Sequence, residues 1–277
     1  MSAPAADRNA TGVFSPGRAQ ISQRTLRTDN WWKSPVIIDL GFAAFIVYAT
    51  VRAFMQNWYY VPEYHYLTPF YSPCVSTGCI PEASHFGQFL PDVWWLPYAA
   101  LSLPFLLLFR LTCYYYRGAY YKSFWADPPA CAVGEPRGSY SGENAMPLLL
   151  QNLHRYMLYF ALGFIVILTW DAWEALWFAT PDGGHELGIG VGTLVLGLNA
   201  FLLGGYTLGC HSLRHLIGGY ADRISLRSKP QQKALDCVSC LNRSHMRWAW
   251  FSLAWVCFTD LYVRLCAMDY IVDVRLF

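Results

Sequence analysis

Hydrophobic and polar positions fall along this chain in long blocks rather than in short amphipathic turns. Five apolar blocks approach the roughly 20 residues that cross a bilayer as helix: 36–56, 93–113, 148–178, 187–217 and 248–268. Ser34-Pro35 opens the first as cap and first-turn proline, Pro147 opens the third, Gly218-Gly219 closes the fourth, and the second contains Pro97 and Pro104. The pattern predicts an all-α integral membrane protein. A polar tail over 1–34 precedes a transmembrane domain over 35–277 built of five helices.

The polar stretches set the orientation. The tail carries Arg8, Arg18, Arg24, Arg27 and Lys33, while residues 57–92 contain no Lys or Arg. The next polar stretch carries Arg117, Lys122 and Arg137, residues 179–186 again carry none, and Arg223, Arg227, Lys229, Lys233 and Arg243 follow the fourth block. Cytoplasmic loops retain the positive charge, so the N-terminus is expected in the cytoplasm and the C-terminus on the periplasmic side. Composition agrees: 55% of the 277 residues are hydrophobic and 14% charged, against about 25% charged in an average soluble domain. The tail has no apolar core of a signal peptide, and Asp7 and Asp29 argue against a transit peptide.

Seven histidines carry the candidate chemistry: His65, His85, His154, His185, His211, His215 and His245. A membrane histidine needs a hydrogen-bond partner, a cofactor or water. His154 lies seven residues after Pro147 and His211 seven before Gly218, so each is about 10 Å below the cytoplasmic surface at 1.5 Å per residue. Facing neutral imidazoles can take both axial positions of a haem iron; hydrogen-bonded structural histidines are the competing reading. His245, between Arg243 and Arg247, is an alternative ligand or a propionate partner. Arg155, Arg214 and His215 suit propionates or a quinone head group, or else snorkel to lipid headgroups. His65 and His185 are the candidate ligands of a second, outer haem, with solvated loop histidines as the alternative. The glycines of 188–209 allow close approach of a helix or a flat ring.

At this point the residues resemble a family. Arg214-His215-Leu216 with Gly219 and Asp222 is similar to the Arg-His-Leu…Asp stretch of succinate dehydrogenase membrane anchors, with His211 as the nearest upstream histidine. The loop 64–74 and the segment 210–219, Cys-His-Ser-Leu-Arg-His-Leu-Ile-Gly-Gly, resemble the mycobacterial-type dihaem cytochrome b anchor of a succinate:menaquinone oxidoreductase, over most of 30–277. The resemblance implies two b haems, one near each face, with menaquinone as the substrate. It implies a bacterial cytoplasmic membrane, a flavoprotein and an iron–sulfur subunit docked on the cytoplasmic side, a further small membrane subunit and a higher oligomer of the complex. No nucleic-acid partner is expected. In related five-helix dihaem anchors, helices one, two, four and five supply the ligands. The second block here has no histidine, so His154 on the third is the substitute, and His245 fits the family position as the rival of His211.

Cys74 and Cys79 share the outer loop, an oxidising compartment, where a disulfide is one expectation. Cys237-Val-Ser-Cys240 is a lone CxxC, for which chance outweighs zinc. Asp171, Glu174 and Asp260 share a depth zone near the outer face and are candidates for quinone protonation, with an ion pair to Arg264 as the alternative. A haem-free structural anchor and a polytopic transporter are the competing functions; internal repeats, the mark of many transporters, are not seen. The chain has no dinucleotide fingerprint and no ferredoxin-type cysteine run, so succinate chemistry must lie on other subunits.

Overall fold

The structure, a computed structural model, describes residues 28–119, 130, 133, 148–219 and 227–277. The tail arginines Arg8, Arg18, Arg24 and Arg27, together with Lys122, Arg137, Pro147, Asp222 and Arg223, lie outside the described residues.

Helix α1 runs Lys33–Met55 and two short strands follow, β1 Tyr60–Val61 and β2 Tyr66–Leu67. Next come α2 Leu103–Leu111, α3 Tyr114–Ala119, α4 His154–Glu174, and strands β3 Trp177–Ala179 and β4 His185–Leu187. The chain continues through α5 Val191–Leu208, α6 His211–Gly218, α7 Lys229–Arg243 and α8 His245–Ala267. Each strand pair is an antiparallel hairpin, β1 with β2 and β3 with β4.

Among the described residues, three helical stretches are long and apolar enough to cross a membrane: Lys33–Met55, Leu149–Glu174 and Val191–Leu208. Helix α8 equals α1 at 23 residues, but Arg247, Asp260 and Arg264 interrupt its apolar run.

The second block is not one helix. Val93 and Leu96 form a bridge, a 3-10 turn covers Tyr98–Leu101, and α2 itself has nine residues. Pro97 donates no hydrogen bond and keeps the preceding residue extended, whereas Pro104 is tolerated in a first turn. Thr112 then bonds back to the Leu108 carbonyl at 2.6 Å, and the chain turns at Cys113 before α3. The third block is shortened at both ends, by a 3-10 turn over Leu148–Leu153 and by β3. The fourth is cut in two: Cys210 is extended (φ −63°, ψ 138°), so His211 begins a separate helix. Asn242 Nδ2 satisfies the Gly209 carbonyl freed at this break, at 2.8 Å.

Helix α5 is the central element, packed between α4 and α8, with α2 on the far side of α4 and α1 closing against α3 and α8. Close packing against α8 depends on glycine. A Cβ at Gly205 would lie 2.7 Å from the Trp248 ring, so the indole fills the space a side chain would need. At the far end, Asp273 receives the Gly192 N–H at 3.0 Å and the Tyr66 hydroxyl at 2.6 Å. A carboxylate there complements the N-terminus of α5 and ties the C-terminal segment to the hairpin β1–β2.

Candidate functional site

The break between α5 and α6 positions the inner cluster. Cys210, 1% exposed, presents its thiol to α4, and His154 Nε2 stands 3.1 Å from Cys210 Sγ. His154 Nδ1 is 3.0 Å from both the Phe109 carbonyl and Thr112 Oγ1. A carbonyl only accepts, so Nδ1 carries the proton and the Nε2 lone pair is left for the thiol side. Buried Cys113 packs in the same core as Cys210. His245, the first residue of α8, is buried, and its Nδ1 has no hydrogen-bond partner among the described residues.

Aromatic rings join the two histidines. His154 stacks on Phe109 (4.5 Å between centroids, 7°), Phe109 meets Tyr206 edge-on at 5.4 Å, and Tyr206 stacks on His245 at 5.0 Å and 12°. Two imidazoles and two thiols, His154 half-buried and the other three buried, therefore lie around one aromatic core. Among the described residues, no three His, Cys, Asp or Glu side chains converge closely enough to hold an ion as they stand.

This arrangement does not fit a bis-histidine haem. The iron-binding nitrogen of His154 faces the Cys210 thiol rather than a second imidazole, and Phe109 and Tyr206 link His154 to His245 through stacked and edge-on contacts. His211 does not face His154; its ring stacks edge-on with His215 at 5.7 Å. The break at Cys210 makes His211 the first residue of α6, where it lines a pocket shared with Arg155 and Tyr159 of α4. At the outer end, the His65 and His185 ring centroids are 5.0 Å apart at 56°.

Beside the aromatic core lies an apolar cavity of about 250 Å³, lined among others by Phe45, Ala49, Phe109, Arg110, Tyr206 and Thr207. Arg110 is buried, 5% exposed. It donates to Tyr116 Oη at 2.6 Å, the Ala249 carbonyl at 3.2 Å and Ser252 Oγ at 3.1 Å, and its guanidinium lies 4.8 Å over the Tyr206 ring. None of these partners neutralises its charge. Sequence reasoning passed over Arg110, although a lone arginine inside an apolar block is itself a functional signal.

The basic residues assigned to propionates or quinone divide. Arg155, His211 and His215 line an open pocket of about 510 Å³ between α4 and α6. Arg214 turns the other way and donates to Ser239 Oγ on α7 at 3.0 Å. The three outer carboxylates also divide. Asp260 pairs with Arg52 at 2.7 Å, both fully buried, and accepts from Tyr48 at 2.6 Å. Its partner is thus Arg52 on α1, and Arg264 instead lies over Trp58. Asp171 accepts from Ser72 and from His85 Nδ1, the latter at 2.9 Å. Glu174 lines an outer pocket with His65, His85 and His185. Cys74 and Cys79 are joined by a disulfide, and Cys237 and Cys240 are free and exposed on α7.

Residues 33–269 match a protein family described as actinobacterial succinate dehydrogenase subunit SdhC. Among solved structures, the chain is 51% identical to a chain of the Mycobacterium smegmatis Sdh1 complex in the apo form, with a TM-score of 0.86 over 97% of this chain and 99% of that one. A comparison with curated proteins finds no match.

Proposed function

The chain belongs to the actinobacterial SdhC family and is a membrane anchor subunit of succinate dehydrogenase, and from that premise we propose that it conducts electrons to menaquinone through its inner cluster. Electrons arrive from a flavoprotein and an iron–sulfur subunit docked on the basic, cytoplasmic face of a bacterial cytoplasmic membrane. Helices α1, α4, α5 and α8, with the broken run from Tyr98 to Ala119, make five crossings. A further small membrane subunit and a higher oligomer belong to the same reading.

The observation that carries the electron route is the placement of the 3.1 Å His154–Cys210 contact against Phe109 and Tyr206, rings that also wall the apolar cavity. Cys113, Cys210, His154 and His245 are the donor types of a two-iron, two-sulfur centre with two thiolate and two imidazole ligands. Bound there, such a centre supplies one-electron transfer. The aromatic core excludes water from the donors. Thr112 and the Phe109 carbonyl fix the His154 tautomer, as an outer partner of a metal-binding histidine does. The cavity suits a quinone, being apolar with few polar groups, and Arg110 is placed to donate to a quinone carbonyl as it gains charge.

A second reading keeps the two b haems that the resemblance implies, and one experiment separates the two. The complex is purified with this chain as wild type, His154→Ala, His245→Ala and Cys210→Ser. Haem is measured by pyridine haemochrome, and iron and acid-labile sulfide by chemical assay. The thiol–imidazole reading expects no haem, a loss of about two irons and two sulfides per complex in each variant, and abolished quinone reduction with succinate oxidation by an artificial acceptor retained. A b-type haem that disappears in His154→Ala while Cys210→Ser keeps it would overturn that reading in favour of haem.

A further inference from the structure

The end of the bundle opposite the basic face holds a second cluster that this electron route does not use. The hairpin β1–β2 turns at His65, which adopts φ +51°. The hairpin β3–β4 lies against it: Ala179 N–H donates to the Glu63 carbonyl at 2.9 Å, and His65 Nδ1 donates to the Trp177 carbonyl. This contact brings His65 and His185 together from segments far apart in sequence. From the disulfide-containing loop, His85 enters the same pocket, of about 590 Å³, which Glu82 and Glu174 also line.

Two of these imidazoles are oriented by fixed acceptors. The Trp177 carbonyl can only accept, so His65 Nδ1 bears the proton and Nε2 keeps its lone pair. Asp171 does the same for His85 through the 2.9 Å contact at Nδ1, and Asp171 is itself held by Ser72. The His85 side chain is only 6% exposed, yet its Nε2 has no hydrogen-bond partner among the described residues. Tyr60 Oη, buried and similarly unpartnered, is within electrostatic reach of both Glu82 and Glu174. A histidine whose outer N–H is held by a carboxylate or a backbone carbonyl, with the other nitrogen aimed into a polar pocket, is the usual arrangement behind a metal-ligating imidazole.

These donors do not converge on one point as they stand; we propose that His65, His85 and His185, with Glu174 or Glu82, close around a divalent transition metal ion of the zinc class. Imidazole with carboxylate suits such an ion, with Zn–N bonds of about 2.0–2.1 Å. His185 and its neighbours in β4 are exposed, so the ion gathers this movable ligand onto the two oriented ones. Binding fastens the hairpin β3–β4 to the disulfide loop and to the end of α4. Protons compete for the same nitrogens. Glu82 and Glu174 line the pocket with the three histidines, while Asp171 stands behind His85 at its Nδ1. The proposal stands independently of which redox group the inner cluster holds.

The test uses the purified complex, stripped with EDTA and dialysed against Zn²⁺ at pH 7.5 and pH 5.5. Bound zinc is counted by elemental analysis, and hydrogen exchange is followed in residues 177–187. The expected result is one zinc per chain at pH 7.5, lost at pH 5.5, with slowed exchange in β3–β4. His65→Ala/His85→Ala should abolish it. Asp171→Asn should weaken it by about 10- to 100-fold, the usual effect of losing an orienting partner. His185→Gln replaces an exposed side chain and leaves the fold intact, so it decides the matter should the double variant fail to assemble. Zinc uptake equal in wild type and His185→Gln, or unchanged at pH 5.5, would refute the site.

Discussion

Two arginines show how the same side chain serves different ends inside a membrane. Arg52 meets Asp260 in a fully buried pair, with Tyr48 completing the carboxylate's partners. The pair fastens α1 to α8, and removing one partner of such a pair typically costs about 3–5 kcal/mol. Asp260→Leu is therefore expected to lower the thermal stability of the detergent-solubilised complex severely. In Asp260→Asn the quinone reduction per assembled complex should be unchanged, because the carboxylate is occupied by Arg52; a selective loss of turnover in that variant would restore a role in proton movement. Arg110 has no such partner among its hydrogen bonds. In Arg110→Met, quinone reduction should fall by about 100-fold, as for loss of one charge-stabilising donor, while succinate oxidation with an artificial acceptor persists. Equal loss of both activities would instead mark Arg110 as structural.

At the level of elements, the helix interruptions determine which side chains meet. Had the fourth block continued as one helix, Cys210 and His211 would have kept the angular register of α5. The extended Cys210 ends that register and gives the thiol the position beside His154. Helix α5 also needs its small residues to admit α8. Gly205→Leu drives a side chain into the Trp248 ring, which already lies within 2.7 Å of a built Cβ. Over-packing of this kind costs about 1–3 kcal/mol, and because Trp248 leads into the helix that begins at His245, the variant should also lose the inner redox centre. Size-exclusion chromatography with iron analysis checks this; a fully loaded, stable Gly205→Leu complex would disprove the dependence.

On the scale of the whole molecule, α6 and α7 with their basic residues lie at one end of the bundle, and the hairpins with the disulfide, where Arg275 pairs with Glu186, at the other. The proposed topology places the C-terminal Phe277, beside the β3–β4 end through its bond with Ile189, on the periplasmic side. A C-terminal alkaline phosphatase fusion should then be active in cells, and a green fluorescent protein fusion dark. The opposite pair of results would invert the bundle and place the basic face outside.

Much of this was legible in order along the chain. The apolar blocks at 36–56, 148–178 and 187–217 coincide with the three helices that, among the described residues, are able to span a bilayer, because hydrophobicity over a window of about 20 residues is a local property. The pairing of Cys74 with Cys79, one expectation of their shared loop, is present. The motif around 210–219 pointed to the family that the full-length comparison established. What the sequence could not specify was the set of partners. Arg52 with Asp260 and His154 with Cys210 join residues separated by scores of positions, whereas His65 and His185, paired from the sequence, do meet. Each pair depends on where Pro97 and Cys210 break helices and on how two hairpins fold across the bundle end. A break of one residue resets the angular register of all that follows, and that register, settled only by tertiary packing, decides whether a histidine faces an imidazole, a thiol or an open pocket.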